Sequence, residues 1–163
     1  MGMSSLKPDD QERCRAVALV KRYMRGGPRS SWEVGAYLAR HKVSPRVAHR
    51  VIQDCVTRGV LDDEACACLW AEHWSRAGYA SPSIRARLAA KGFDDETLDH
   101  AIAQLQSSFD DEARAKAVAA RSDRPGAGRR ERARVARRLA SRGFDADLIE
   151  RVLNGSFGPL VLS

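Results

Sequence analysis

The feature that most constrains the fold is an internal repeat of roughly 50 residues, a period typical of tandem arrays. The segment 61–65, Leu-Asp-Asp-Glu-Ala, returns 48 residues later at 109–113 as Phe-Asp-Asp-Glu-Ala. The segment 88–94, Leu-Ala-Ala-Lys-Gly-Phe-Asp, returns 51 residues later at 139–145 as Leu-Ala-Ser-Arg-Gly-Phe-Asp. A fainter copy precedes both, since Leu38 and Val43 stand 50 residues before Leu88 and Phe93. The sequence therefore predicts three copies of one unit.

Each unit contains start signals for three short helices. In the middle unit Asp62 is a capping residue for a helix that runs to about Ala77. Ser81 is a second capping candidate, with Pro82 at the favoured first helical position. Asp94 opens a third helix, whose apolar residues recur every three or four positions. Further starts are expected at Ser30 or Ser31, Ser44 and Asp145, and no useful stretch alternates polar with apolar residues.

The composition favours several thin modules over one thick core. Only 33 of 163 residues are Leu, Val, Ile or Phe, which is at the lower edge for compact folding. We therefore predict an all-α fold, an elongated tandem array of three three-helix modules. The expected order is an N-terminal tail (1–12), three modules (13–60, 61–108 and 109–155) and a C-terminal tail (156–163). Residues 121–128, rich in Pro and Gly, are expected to form a flexible loop in the third module.

The charge is basic overall, at +7, and unevenly distributed. Residues 1–60 carry +7, residues 61–108 carry −4 and residues 109–163 carry +4. Basic surfaces of this kind attract nucleic acid or an acidic protein. No apolar run approaches the roughly 18 residues of a membrane span, and the N-terminus lacks the apolar stretch of a secretory signal. We expect a cytoplasmic protein with four reduced cysteines and no membrane partner.

The strongest concentration of charge is an arginine-rich helix between residues 129 and 142. Its first candidate surface comprises Arg130, Arg134, Arg137 and Arg138, on a face away from Val135 and Leu139, together with Arg129 and Arg142. Guanidinium groups pair with phosphate or carboxylate through two parallel hydrogen bonds. Two further candidate surfaces are Arg85, Arg87 and Lys91, and a looser group of Arg22, Arg25 and Arg29 with Lys21. For any single arginine, a merely solvated position is an equal alternative.

Five aromatic residues could stack on the bases of single-stranded DNA, namely Trp32, Trp70, Trp74, Tyr37 and Tyr79. Core packing is the favoured interpretation for the tryptophans, because Trp70 and Trp74 lie one helical turn apart beside apolar residues. Tyr79 is expected to anchor two helices of its unit.

Nothing in the sequence favours catalysis, a metal or a cofactor. Cys66 and Cys68 would point to different sides of a helix, and no second pair of ligands completes a zinc motif. The acidic segments 62–64 and 110–112 stand at helix starts, where carboxylates complement the helix dipole. No phosphate-binding loop or nucleophile elbow occurs. We predict that the protein is not an enzyme.

A spaced set of residues resembles the RecX family, regulatory proteins that modulate the RecA recombinase. The set is Leu61-Asp62-Asp63 followed by Gly78-Tyr79-x-x-Pro82-x-Ile84-x-x-x-Leu88-x-x-Lys91-Gly92-Phe93, and Arg142-Gly143-Phe144 echoes its end. The resemblance is densest over residues 61–105 and extends over 13–155 with the weaker outer units. The chain departs from the family at Cys66, where an aromatic residue is frequent, and in the Pro/Gly segment of the third unit.

The resemblance implies a negative modulator of RecA. Such a chain is expected to lie as a monomer in the groove of the RecA–DNA filament, to bridge protomers, and to inhibit ATP hydrolysis and strand exchange. Its setting would be recombination, DNA repair and the SOS response. The alternative from the residues themselves is an autonomous DNA-binding protein that acts through its basic helix faces.

Overall fold

Nine helices make up the structure, a computed structural model that describes residues 7–108, 110–121 and 128–158. They are Pro8–Met24 (α1), Ser31–Arg40 (α2), Pro45–Thr57 (α3), Asp63–Arg76 (α4), Ser81–Ala89 (α5), Asp95–Ser108 (α6), Asp111–Ala120 (α7), Arg129–Ser141 (α8) and Ala146–Phe157 (α9). No strand occurs in these three ranges. The all-α prediction is confirmed.

The helices pack in threes, each trio around its own small core. Every helix pair with extensive contacts lies within α1–α3, α4–α6 or α7–α9. The buried apolar residues likewise form three separate clusters. The chain is thus an elongated array of three-helix modules.

Most helix starts are capped by the residues that the sequence indicates. Ser30 accepts a hydrogen bond from the Glu33 N–H, and the Glu33 carboxylate accepts one from the Ser30 N–H, which forms a capping box. Aspartates at the predicted starts each accept from the backbone N–H three residues on, at Asp62, Asp94, Asp110 and Asp145. The cap predicted at Ser81 is wrong, because α5 begins at Ser81 and its N-cap is Ala80.

The module edges differ from the sequence boundaries at several points. α1 begins at Pro8, inside the predicted N-terminal tail, and α9 continues to Phe157. Leu61 is buried in the core of the first module, and Ala80 in that of the third. Arg121 ends α7 and Gly128 precedes α8. The rest of the predicted loop, residues 122–127, lies outside the described residues. So do residues 1–6 and 159–163 of the predicted tails and residue 109 of the repeat.

The joint between the first two modules connects the end of α5 to the start of α2. Ser30 Oγ donates to the Lys91 carbonyl oxygen over 2.6 Å, and Asp63 accepts from the Ser31 N–H over 2.7 Å. The Lys91 ammonium pairs with Glu33 at 2.9 Å, and both side chains are less than a fifth exposed. One module thereby holds the first turn of a helix in the module before it.

The joint between the second and third modules uses equivalent positions. The Ala80 N–H donates to the Arg142 carbonyl oxygen over 3.0 Å, and Asp111 accepts from the N–H and the hydroxyl of Ser81 over 2.9 and 3.0 Å. Arg114, only 1% exposed, donates to Ser81 Oγ over 2.6 Å and pairs with Asp111. Ser81 is the first residue of α5 and not its N-cap, and its N–H and hydroxyl are engaged across the joint instead.

Two glycines allow the close approach at these joints. Gly92 has φ +79°, and a Cβ added there would come within 2.6 Å of Trp32 Cβ. Gly143, with φ +85°, would place a Cβ 3.0 Å from Ser83 Cβ. Any side chain at either position meets both backbone strain and a steric clash.

Candidate partner-binding surface

Helix α8 buries one face and presents arginines on the other. Val135 and Leu139 are completely buried. The exposed arginines are Arg129, Arg130, Arg134, Arg137 and Arg138. The predicted direction of this stripe therefore agrees with the structure, and its role in binding stays a prediction.

The arginines of α8 differ in what they contact. Arg134 donates through Nε to Glu131 over 3.1 Å. Among the described residues, Arg129, Arg130 and Arg137 have no ion-pair partner. An exposed guanidinium without a partner retains its donors for an external anion. These three arginines form the most available part of the stripe.

Two arginines of the same segment are structural. Arg132 is 9% exposed and donates to the Leu153 and Gly158 carbonyl oxygens over 3.1 and 2.8 Å. It also donates to Asn154 Oδ1 over 2.7 Å, and so ties α8 to the end of α9. Arg142, predicted as part of the binding surface, is half-buried and donates through Nε to the Ala77 carbonyl oxygen over 3.3 Å. It belongs to the second joint.

An apolar groove of about 700 Å³ lies between α8 and α9 beside the arginine stripe. Its apolar lining consists of Ala133, Ala136, Ala140, Ala146, Ile149 and Leu153. Arg129 and Arg137 line it from α8, and Glu150 from α9. This groove was not among the predictions from the sequence.

The second candidate group does not form one surface. Arg85 pairs with Asp95 at 3.2 Å and with Asp99, both on α6. The Arg87 guanidinium lies over the Tyr79 ring, 4.1 Å from its centroid, towards α4. Each therefore has an intramolecular partner in a different direction.

Lys91, the third member of that group, is held within the first joint. Besides the ion pair with Glu33, its ammonium lies 4.0 Å from the centroid of the Trp70 ring. A desolvated cation over an indole ring is an attractive contact of up to about 2 kcal/mol. Lys91 consequently stabilises the array from inside.

The third candidate group surrounds two stacked tyrosines. The rings of Tyr23 and Tyr37 are 4.1 Å apart and nearly parallel. Arg22 donates to the Tyr37 hydroxyl over 3.0 Å, and the half-buried Arg29 lies over the Tyr23 ring at 4.5 Å. Arg25 and Lys21 are exposed at the end of α1. Arg22 is exposed as well, so three of the four cations of this group present a charge to solvent.

The aromatic residues divide between core and surface. Trp70 and Trp74 stack at 5.4 Å and pack with Tyr79 against the core of the second module, as expected. The core role expected for Trp32 is wrong, because this side chain is 58% exposed and covers Gly92. Its ring lies on the outside of the first joint.

The part of the chain that the structure describes contains no group of three His, Cys, Asp or Glu residues placed to hold a metal ion. Burial raises the pKa of the Cys66 thiol to about 11 and also raises that of Cys68, so both thiols are protonated at neutral pH. Within the described ranges, each helix is too short or too polar to cross a membrane.

Comparison with known proteins places these features in a family. The family model described as RecX, third three-helix domain, matches residues 110–153. The regulatory protein RecX of Serratia proteamaculans is 32% identical over 117 residues, which cover 72% of this chain and 70% of that protein. The Mycobacterium sp. (strain KMS) RecX is 27% identical over 153 residues, covering 87% and 80%. The match to the RecX of Lactobacillus delbrueckii is 33% identical over 98 residues but spans only 36% of that longer protein.

The solved structures agree on the fold. RecX from Lactobacillus salivarius superposes with a TM-score of 0.73 over 90% of this chain and 97% of its own, at 15% identity. A second regulatory protein RecX gives a TM-score of 0.69 over 88% of this chain and 72% of its own. The same three-module architecture is thus retained at low sequence identity.

Proposed function

The chain belongs to the RecX family, and on that premise we propose that it is a negative modulator of the RecA recombinase. It binds in the groove of the RecA–DNA filament as a monomer and inhibits ATP hydrolysis and strand exchange. It works without catalysis of its own, in the cytoplasm, as part of recombination and the SOS response to DNA damage.

The observation that carries this proposal is the open array of modules. Neighbouring modules touch through joints of hydrogen bonds, ion pairs and a few packed side chains, and every helix pair with extensive contacts lies within one module. A repeat array of this kind offers a long binding surface. Such a surface suits a filament, because its successive protomers present the same contacts at regular intervals.

The direct test is the DNA-dependent ATPase of RecA with the purified chain added. We expect the rate of ATP hydrolysis to fall as the chain is titrated, together with co-sedimentation of the chain with RecA–DNA filaments. An unchanged rate without filament binding contradicts the proposal.

The role of the arginine stripe is tested by a fourfold charge reversal, Arg130→Glu, Arg134→Glu, Arg137→Glu and Arg138→Glu. We expect helix content to survive, because exposed substitutions usually change stability by only about 0.5 kcal/mol each, whereas binding to RecA or DNA weakens. Leu139→Ala is the matched core variant. It removes a completely buried side chain and should cost about 2–5 kcal/mol. A folded fourfold variant with undiminished binding to both partners would show that the stripe is merely solvated.

The available guanidinium groups of α8 favour a second candidate function, direct DNA binding without RecA. Arg129, Arg130 and Arg137 could neutralise backbone phosphates, and affinity would then fall steeply with salt as counterions are released. Binding to RecA in the absence of DNA separates the two functions. A chain that binds DNA alone and ignores RecA is an autonomous DNA-binding protein.

A further inference from the structure

The groove between the second and third helices is closed in the second module. There Arg85 of α5 pairs with Asp95 at 3.2 Å and with Asp99, both on α6. These ion pairs bridge the two helices on their outer side. The space between α5 and α6 is occupied by the chain's own charged side chains.

The third module lacks this bridge. At the 51-residue spacing of the repeat, Ala136 stands at the position of Arg85, and Ala146 at that of Asp95. Glu150 corresponds to Asp99 and retains a carboxylate. Both alanines line the 700 Å³ groove. Two small residues have therefore replaced the guanidinium and the carboxylate that close the same space in the preceding module.

The first module fills the equivalent space in a different way. Gly35 of α2 stands 101 residues before Ala136, and Ile52 Cδ1 of α3 lies only 3.6 Å from where a Cβ of Gly35 would be. An apolar side chain from the partner helix thus packs against the glycine position. At these two register positions the third module carries alanines, where the first has Gly35 and Pro45 and the second has Arg85 and Asp95.

The walls of the open groove specify the chemistry of its occupant. The floor is apolar, through Ala133, Ala140 and Ile149 among others, and leaving such surface in water is unfavourable. Arg129 and Arg137 stand along the α8 wall without ion-pair partners in the described ranges, so that wall is positive.

We propose that this groove binds an amphipathic α-helix of a protein partner. The apolar face of that helix packs on the alanine-lined floor, where small side chains allow a close approach, and carboxylates beside this face pair with Arg129 and Arg137. Nucleic acid fits less well, because phosphates would use the two arginines and leave the apolar floor uncovered. The partner that supplies this helix is RecA, and this identification rests on the proposed function.

The experiment restores the bridge that the second module already uses. The double variant Ala136→Arg/Ala146→Asp places a guanidinium and a carboxylate in the groove, with Glu150 available as the second acceptor. We expect RecA binding to weaken about tenfold or more, with helix content and Tm retained. Binding to a single-stranded oligonucleotide without RecA should not change.

A second variant keeps the test decisive if the double variant folds poorly. Arg129→Glu/Arg137→Glu alters only exposed side chains and should weaken RecA binding similarly. Arg151→Glu is the matched control, because Arg151 is exposed on α9 outside the groove lining, and RecA binding should be retained.

The outcomes separate this inference from the proposed function. If the unaltered chain does not bind RecA, the proposed function fails, and with it this assignment of the groove. If the unaltered chain binds RecA and the groove variants bind equally well, the groove inference is overturned and the modulator proposal stands. Loss of oligonucleotide binding with intact RecA binding would assign the groove to nucleic acid and overturn the inference as well.

Discussion

Substitution of Gly92 by alanine should weaken the first joint through two separable effects. The first is backbone strain, because Gly92 has φ +79° and a left-handed conformation costs an L-residue about 1–2 kcal/mol. The second is steric, because the added Cβ would lie 2.6 Å from Trp32 Cβ. A change of rotamer moves the Trp32 ring, which is 58% exposed, but leaves its Cβ in place, so the backbone at the start of α2 must also shift.

Gly59 provides the matched control for the strain. It also follows the end of a helix, with φ +68°, but an added Cβ there meets nothing within 4 Å. After allowance for the lower entropy of the unfolded chain, of about 0.4–1 kcal/mol, Gly59→Ala should cost about 1 kcal/mol or less. Overpacking that forces a backbone shift adds about 1–3 kcal/mol. We therefore expect Gly92→Ala to cost about 2–4 kcal/mol.

The assay is urea unfolding followed by far-UV circular dichroism, with a double-mutant cycle through a variant of Trp32. The Trp32 variant must lack Cβ, so the cycle uses Trp32→Gly; in that background the cost of Gly92→Ala should fall to that of Gly59→Ala, since only the strain remains. An equal cost of Gly92→Ala in both backgrounds would refute the steric part of the reasoning.

Two further predictions concern buried groups. Arg114→Ala leaves Asp111 without its buried cation and should lower the free energy of unfolding by about 3–5 kcal/mol. As a control, Arg134→Ala removes an exposed ion pair with Glu131 and should cost at most about 1 kcal/mol in the same urea titration. Burial raises the pKa of the Cys66 thiol from 9.0 to about 11, so its stabilising contribution should be complete below pH 9 and lost as the pH rises through about 11. Cys66→Ala should remove that part of the pH dependence, and rapid alkylation of Cys66 in the native chain at neutral pH would contradict the assignment.

Features that depend on neighbouring residues could be predicted from the sequence. An aspartate cap needs only a backbone N–H three residues further on, which is why Asp62, Asp110 and Asp145 mark their helices correctly. The exposed face of α8 likewise follows from helical periodicity, because Val135 and Leu139 fix its buried side.

Features that depend on another module could not be predicted in the same way. Ser81 has the sequence of a cap, but its hydroxyl is engaged by Asp111 and Arg114 from the third module. Lys91 belongs to a basic stretch, yet its ion-pair partner Glu33 lies 58 residues away. Trp32 is apolar and still exposed, because its contact is with a glycine of the neighbouring module.

The groove beside α8 could be predicted from the sequence only in part. Its signal was present in the repeat register, where Ala136 and Ala146 replace Arg85 and Asp95. The meaning of that difference emerges only once the Arg85 ion pairs show that these positions face each other across two helices.

The joints also mean that the order of synthesis affects when each helix is stabilised. The first turn of α2 receives the Asp63 carboxylate and the Lys91 carbonyl oxygen, and the first turn of α5 receives Asp111, so in both cases the stabilising group is translated later than the helix that it serves. Leu61, which completes the first core, also follows the three helices around it. On the ribosome the first and the second module therefore leave the exit tunnel unfinished, and each reaches its final stability only when the module after it has emerged.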